Sequence, residues 1–131
     1  MNKSIWFTLL LLLISGCSYN PSDEDIVDTH GEINNLEKFM KFVENVNQGT
    51  EDKIKVVRYT TEGDPLLHDL EYDGKIITST LDTTRDEFGN GSVSTAKCKF
   101  IDVIETDEST DYTLSGCDKT KRDNSILVIW K

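Results

Sequence analysis

The chain has 131 residues, of which 37% are hydrophobic and 29% are charged, and this composition is typical of one globular domain with a single core. It carries 24 acidic and 14 basic residues, which gives a formal net charge of −10. An acidic surface repels the phosphates of nucleic acids and the headgroups of anionic lipids. We therefore expect no nucleic-acid partner, and the charge favours a soluble monomer.

The first 16 residues have the pattern of a secretory signal peptide. Lys3 supplies a positive charge, and residues 5–14 are apolar except for Thr8. This apolar run is too short for a helix to cross a membrane core of about 30 Å, but it suits the apolar region of a signal peptide. We therefore predict that residues 1–16 direct export and are then removed.

The segment Ile14-Ser15-Gly16-Cys17 resembles the lipobox of bacterial lipoproteins. This resemblance implies cleavage just before Cys17, a diacylglyceryl group on its thiol, and a further acyl chain such as palmitate on the new N-terminus. Two or more acyl chains hold a protein stably at a membrane. The prediction is a protein anchored by lipid at the extracytoplasmic face of the cell membrane. The alternatives are an ordinary signal peptide before an unmodified cysteine, or a buried helix.

Residues 17–30 are polar and acidic and contain one proline, Pro21. Such a composition is typical of a flexible linker. At roughly 3.3 Å per residue, the stretch after Cys17 could reach about 40 Å from the membrane. We predict a lipid-anchored tether over residues 17–30 and one folded domain over residues 31–131.

The first elements of this domain are predicted to be a helix and a central strand. Apolar residues recur at helical spacing from Ile33, and Gly49 is a plausible end of the helix. Residues 52–61 then form a strand, in which the adjacent Val56 and Val57 direct apolar side chains to both faces. Apolar side chains on both faces are typical of a strand inside a sheet.

The dipeptide Asp73-Gly74 predicts a two-residue hairpin turn, which places His68 opposite Ser79. A histidine on an apolar face is most often a hydrogen-bonded core residue. A catalytic histidine would need a nucleophile and an orienting acid beside it, and Asp69 points to the other face. The sequence therefore predicts no catalytic triad here.

Residues 82–91, DTTRDEFGNG, are rich in oxygen ligands. Their spacing does not match the alternating ligands of an EF-hand loop. We interpret the segment as an acidic loop, with calcium binding as the alternative. The chain shows no motif for a cofactor, a catalytic metal or a hydrolase nucleophile, so we expect no enzymatic activity, no cofactor and no bound metal.

Cys98 and Cys117 are predicted to form a disulfide. Export places them in an oxidising compartment, and one pairing remains if Cys17 carries lipid. A turn at Asp107-Glu108 folds this segment into a hairpin whose paired residue numbers sum to 215, so the two cysteines lie opposite each other. On this register they share the less apolar face of the hairpin. The alternatives are a redox pair or a metal site.

A short apolar strand is predicted over residues 126–130, ILVIW. The elements together predict an α+β fold, in which one N-terminal helix packs on an antiparallel sheet of five or six hairpin-connected strands.

The run TTEGDPLLHDLEYDGK, the later DTTRDEFG and the two late cysteines resemble a family of small lipoproteins of Bacillus and its relatives. That family carries a domain of unknown function, and the resemblance covers most of the chain after Cys17. It implies a lipoprotein and brings no catalytic residues. The positions that mark the resemblance also suit turns: they are Gly63, Asp64, Pro65, Tyr72, Asp73 and Gly74.

We therefore expect a non-catalytic lipoprotein domain that binds a protein, a peptide or an envelope component. The alternative is a secreted inhibitor or immunity-type protein that blocks an enzyme at the cell surface, with residues 82–91 as its contact loop. A small envelope hydrolase is a third class, which would need a nucleophile and a base that the sequence does not bring together.

Overall fold

The structure is a computed structural model that describes residues 19–131, and within them the secondary structure is mostly β. In chain order the elements are β1 (Ile26–Thr29), β2 (Glu32–Asn34), α1 (Leu36–Gln48), β3 (Asp52–Tyr59), β4 (Pro65–Tyr72), β5 (Ile77–Asp82), β6 (Val93–Cys98), β7 (Phe100–Glu105), β8 (Ser109–Ser115) and β9 (Ser125–Trp130).

The strands form two sheets. One sheet has six strands in the order β2-β1-β3-β4-β5-β6, and the other has three strands in the order β7-β8-β9. Strand β1 runs parallel to β3, with Ile26 opposite Val56, and the remaining neighbours in both sheets are antiparallel.

The predicted α+β fold, with one helix on a single antiparallel sheet, is wrong. The first strand of the predicted Cys98–Cys117 hairpin is two strands in the structure, because β6 ends at Cys98 and β7 begins at Phe100. Between them the backbone N–H of Lys99 donates to the carbonyl oxygen of Ser115 (3.0 Å), which turns the chain into the second sheet. The result is a β-rich fold of two sheets with a single short helix among the described residues.

The main core lies between the two sheets and α1. The helix contributes four buried side chains to it, and both sheets add theirs. Phe39 is fully buried and meets Tyr112 of β8 edge to face, with ring centroids 4.9 Å apart. Burying a phenylalanine side chain stabilises a fold by about 1.5–3 kcal/mol. The aromatic pair therefore couples the helix to the smaller sheet.

The helix ends at Gly49, as predicted, and begins at Leu36. This is one residue after the predicted start that has Asn34 as its cap and several residues after the predicted start that has Thr29 as its cap. Gly49 has φ 73°, a left-handed conformation that suits glycine, and its N–H donates to the last turn. Ile33 belongs to β2 rather than to the helix. The Asn35 side chain donates to the carbonyl oxygens of Asp23 and Asp25, both at 2.8 Å. These bonds fix the start of the helix against the chain that precedes β1.

The predicted tether over residues 17–30 is too long at its C-terminal end. Ile26 is fully buried and Val27 is 8% exposed, because β1 is part of the six-stranded sheet. Val27 packs with Val57 and Leu67 on the face of this sheet that lies away from α1, and the half-buried Tyr19 covers them. The folded domain therefore includes the chain from Tyr19 onwards.

Candidate functional site

A cleft of about 650 Å³ lies between one stripe of α1 and the first half of β3. We call it the β3 cleft. Its residues come from the chain before β1, from α1, β3 and β4: Glu24, Asp25, Lys38, Lys41, Asp52, Lys53, Ile54, Lys55, Asp69, Leu70 and Glu71.

The cleft exists because half of β3 has a strand on one side only. Strand β4 pairs with all of β3, whereas β1 reaches only from Val56 to Arg58. A turn before β1, in which the N–H of Asp25 donates to the Ser22 carbonyl (3.1 Å), takes the chain away from the rest of β3. Among the described residues, no strand therefore pairs with Lys53–Lys55 on the β1 side.

The backbone of Lys55 faces this unpaired edge. Opposed residues in an antiparallel pair alternate between hydrogen-bonded and non-hydrogen-bonded pairs. Thr60 donates from its N–H to the Asp64 carbonyl (2.8 Å), so the even-numbered residues of β3 bond to β4. Lys53 and Lys55 then direct their backbone groups away from β4. The N–H of Lys53 is occupied by the Asp52 carboxylate (2.8 Å), which leaves the N–H of Lys55 as the available donor.

Four of the nine charged side chains of the cleft form ion pairs with each other. Lys38 contacts Glu24, and Nζ of Lys55 lies 3.8 Å from an oxygen of Asp69. The lining holds carboxylates and ammonium groups in similar numbers, so no single sign dominates. A ligand here would be recognised through the main chain of β3 more than through net charge. This is the chemistry of an extended peptide that adds a strand to a sheet edge.

A second polar site is buried beneath the six-stranded sheet. Nε2 of His68 lies 2.6 Å from Oγ of Ser79, a distance that fits a base and a nucleophile. Both residues are fully buried. Burial, followed by the charges of Arg58 and Arg122, lowers the pKa of His68 from 6.5 to about 3. His68 is therefore neutral at pH 7, and neither side chain of the pair is exposed to solvent.

Arg122 ties this pair to the neighbouring strands. Its guanidinium donates to Oγ of Ser79, to the carbonyl oxygen of Ser94 (2.8 Å) and to Oγ of Ser94 (3.0 Å). Burial lowers the pKa of Arg122, although Asp123 and Asp118 oppose that shift. We call His68, Ser79 and Arg122 the His68 cluster. It joins β4, β5 and β6 to the loop between β8 and β9, which is a structural role.

In the predicted acidic loop over residues 82–91, two of the three carboxylates accept hydrogen bonds from within the loop. Oδ1 of Asp82 accepts from the N–H of Thr84 (2.9 Å) and from its hydroxyl (2.6 Å), and these bonds lower the pKa of Asp82. Asp86 accepts from the N–H of Phe88 (3.1 Å). Among residues 19–131 no group of three or more His, Cys, Asp or Glu side chains is placed to hold a metal ion.

The predicted disulfide between Cys98 and Cys117 is present, with the sulfur atoms 2.05 Å apart. Its setting differs from the prediction of a staple on a less apolar face, because Cys98 is fully buried in the main core. The lipidation residue Cys17 and the signal peptide, residues 1–16, lie outside the described residues. No helix within the described part of the chain is long and apolar enough to span a membrane.

The sequence interpretation missed the β3 cleft and Arg122. The loop that holds Arg122 contains no regular spacing of apolar residues. Arg122 contacts Ser79 and Ser94, which lie far from it in the sequence. The cleft depends on β1, a short strand inside an acidic segment. The only available signal for it was the Ile26-Val27 pair.

The family model of a domain of unknown function, DUF4362, matches residues 23–113. No curated protein matches the chain, and no solved structure matches it. The matched range contains the whole β3 cleft and all of the six-stranded sheet, and it ends before Arg122 and Cys117.

Proposed function

We propose that this chain, which belongs to the DUF4362 family, is a membrane-anchored extracytoplasmic lipoprotein with a non-catalytic binding domain. The family is defined by a domain of unknown function, so the support for this role comes from the residues of this chain. The anchor in this proposal is lipid on Cys17, after removal of residues 1–16. Its support is the order of positive charge, apolar run, small residues and cysteine in the first 17 residues.

The observation that carries the binding role is the unpaired edge of β3. A sheet edge offers donors and acceptors in a row, and natural proteins usually cover or blunt such an edge. Here the turn before β1 uncovers Lys53–Lys55, and a cleft of about 650 Å³ lies beside it. In this proposal an extended segment of an envelope protein adds to β3 and accepts a hydrogen bond from the N–H of Lys55.

The test is photocrosslinking in intact cells, with a photoreactive amino acid in place of Lys53 and, as the control, in place of the exposed Lys121. The cleft position is expected to capture a partner that the control position does not capture. Lys55→Pro removes the available N–H without breaking the ladder to β4, and it should reduce capture severalfold. Lys55→Ala keeps the N–H and is the matched control, so its capture should stay near that of the wild type.

Equal losses in Lys55→Pro and Lys55→Ala would contradict recognition through the main chain. The inhibitor alternative places the contact on residues 82–91. Crosslinks to one stoichiometric enzyme from that loop, with none from Lys53, would favour inhibition over the proposed binding role.

A further inference from the structure

The attachment point of the proposed lipid lies close to a defined surface of the domain. Tyr19 is half-buried against Val57 and Leu67, and its hydroxyl donates to Asp25 (3.4 Å). Only Ser18 lies between Cys17 and Tyr19, so the Cα atoms of those two residues are at most about 7 Å apart. A lipid on Cys17 would therefore hold the domain at the bilayer by the surface around Tyr19, and not on a tether of about 40 Å.

The acidic loop contacts the same surface. The guanidinium carbon of Arg85 lies 5.2 Å from the centre of the Tyr19 ring, which is a cation–π contact. Arg85 also pairs with Asp82 (3.3 Å). The loop is held further by the N–H of Glu87, which donates to Asp64 (3.0 Å). These contacts fix the position of the loop beside the attachment point.

Two large apolar side chains are exposed at this end of the six-stranded sheet. Phe88, at the tip of the fixed loop, is 74% exposed, and Val93, the first residue of β6, is 59% exposed. The register places Val57, Leu67, Asp82 and Val93 in one row across four strands. Single exposed apolar residues are ordinary on protein surfaces. Here Phe88 belongs to the loop whose Arg85 contacts Tyr19, and Val93 lies in the same row as Val57, against which Tyr19 packs.

We propose that Tyr19, Phe88 and Val93 form a membrane-contact patch, in which Phe88 inserts into the interface of a phospholipid bilayer. This proposal rests on the proposed lipidation of Cys17. Aromatic side chains suit the boundary between headgroups and acyl chains. The domain's negative charge repels anionic lipids, so the contact would depend on the lipid anchor and on apolar insertion. Lys55 precedes Val57 on β3, in the direction away from the patch. The unpaired N–H of Lys55 therefore lies outside the membrane-contact patch.

The experiment uses the full chain, processed by its host and reconstituted in phosphatidylcholine vesicles whose acyl chains carry bromine, a fluorescence quencher. In a Trp130→Phe background, Phe88→Trp provides the only tryptophan of the mature chain. The matched control is Phe100→Trp, because Phe100 is 60% exposed and follows the opposite end of β6 from Val93. We expect severalfold stronger quenching at position 88 than at position 100. Equal quenching at the two positions would overturn the proposal.

A further variant tests the role of Tyr19. Tyr19→Ala removes the docked ring and its contact with Arg85, so it lengthens the free chain between the lipid and β1. Quenching at position 88 should then fall towards the value at position 100. Full quenching in Tyr19→Ala would overturn the part of the proposal that assigns the orientation to Tyr19.

The mass of the same preparation separates this proposal from the proposed anchor. A mature chain with unmodified Cys17 would contradict the anchor itself. A lipidated Cys17 with equal quenching at positions 88 and 100 would contradict the membrane-contact patch alone.

Discussion

Cys98 and Cys117 join the two sheets of the fold by a disulfide. Cys98 is the last residue of β6 in the six-stranded sheet, and Cys117 follows β8 of the three-stranded sheet. Lys99 and Gly116 pack closely at this junction. A Cβ atom added at Gly116 would lie only 3.1 Å from Cβ of Lys99. The position of the small sheet on the core is thus fixed covalently as well as by packing.

Reduction of this disulfide should destabilise the protein. In the chain-entropy account, closing a loop of about 20 residues stabilises a fold by about 3 kcal/mol. We expect the free energy of unfolding, measured by urea denaturation with and without a reductant, to fall by about that amount on reduction. An unchanged midpoint with both thiols shown to be free would contradict the role of the disulfide as a link between the sheets.

His68 should make the protein sensitive to acid. Its pKa is about 3 in the folded state, below the ordinary value of 6.5, so the unfolded chain binds a proton that the folded chain excludes. The contribution of neutral His68 to the free energy of unfolding is complete above pH 6.5 and is lost as the pH falls towards 3. By pH 5 the loss is about 2 kcal/mol, at 1.36 kcal/mol per pH unit.

The measurement for His68 is urea denaturation at pH 7 and at pH 5. His68→Gln has no group that titrates at this position, so its stability should fall less between the two pH values than that of the wild type. His30→Gln, at an exposed position, is the control and should follow the wild type. The same acid dependence in His68→Gln and in the wild type would refute the assignment.

Arg122→Ala should destabilise the fold through the His68 cluster. The change leaves the carbonyl oxygen and hydroxyl of Ser94, and the hydroxyl of Ser79, without the guanidinium that donates to them. An unsatisfied buried polar group costs about 1–3 kcal/mol. We expect a loss in this range by thermal or urea denaturation, whereas the neighbouring exposed Lys121→Ala should change stability by less than about 0.5 kcal/mol. Equal stability of the two variants would contradict a structural role for Arg122.

The parts of the fold that depend on local sequence could be predicted. The hairpin of β7 and β8 has the predicted register, with Ile101 opposite Leu114, because a polar turn separates two alternating strands. The hairpin of β4 and β5 is shifted by two residues, so that His68 lies opposite Leu81. Asp73 caps a longer turn there, since its carboxylate accepts from the N–H of Ile76 (2.8 Å).

The parts that depend on distant contacts could not be predicted. The parallel pair of Ile26 and Val56 joins residues that share no local signal. The separation of the sheets at Lys99 depends on a hydrogen bond to Ser115, across the hairpin. The predicted register places His68 directly opposite Ser79. In the structure the two side chains instead contact each other diagonally across β4 and β5, so their contact does not follow from the predicted register.

The most direct test of the central claim is the mass of the N-terminal peptide of protein extracted from membranes. We expect a chain that begins at Cys17 and carries a diacylglyceryl group on that residue, with or without an acyl chain on its amino group. A chain that still begins at Met1, or a mature chain with an unmodified Cys17, would contradict it.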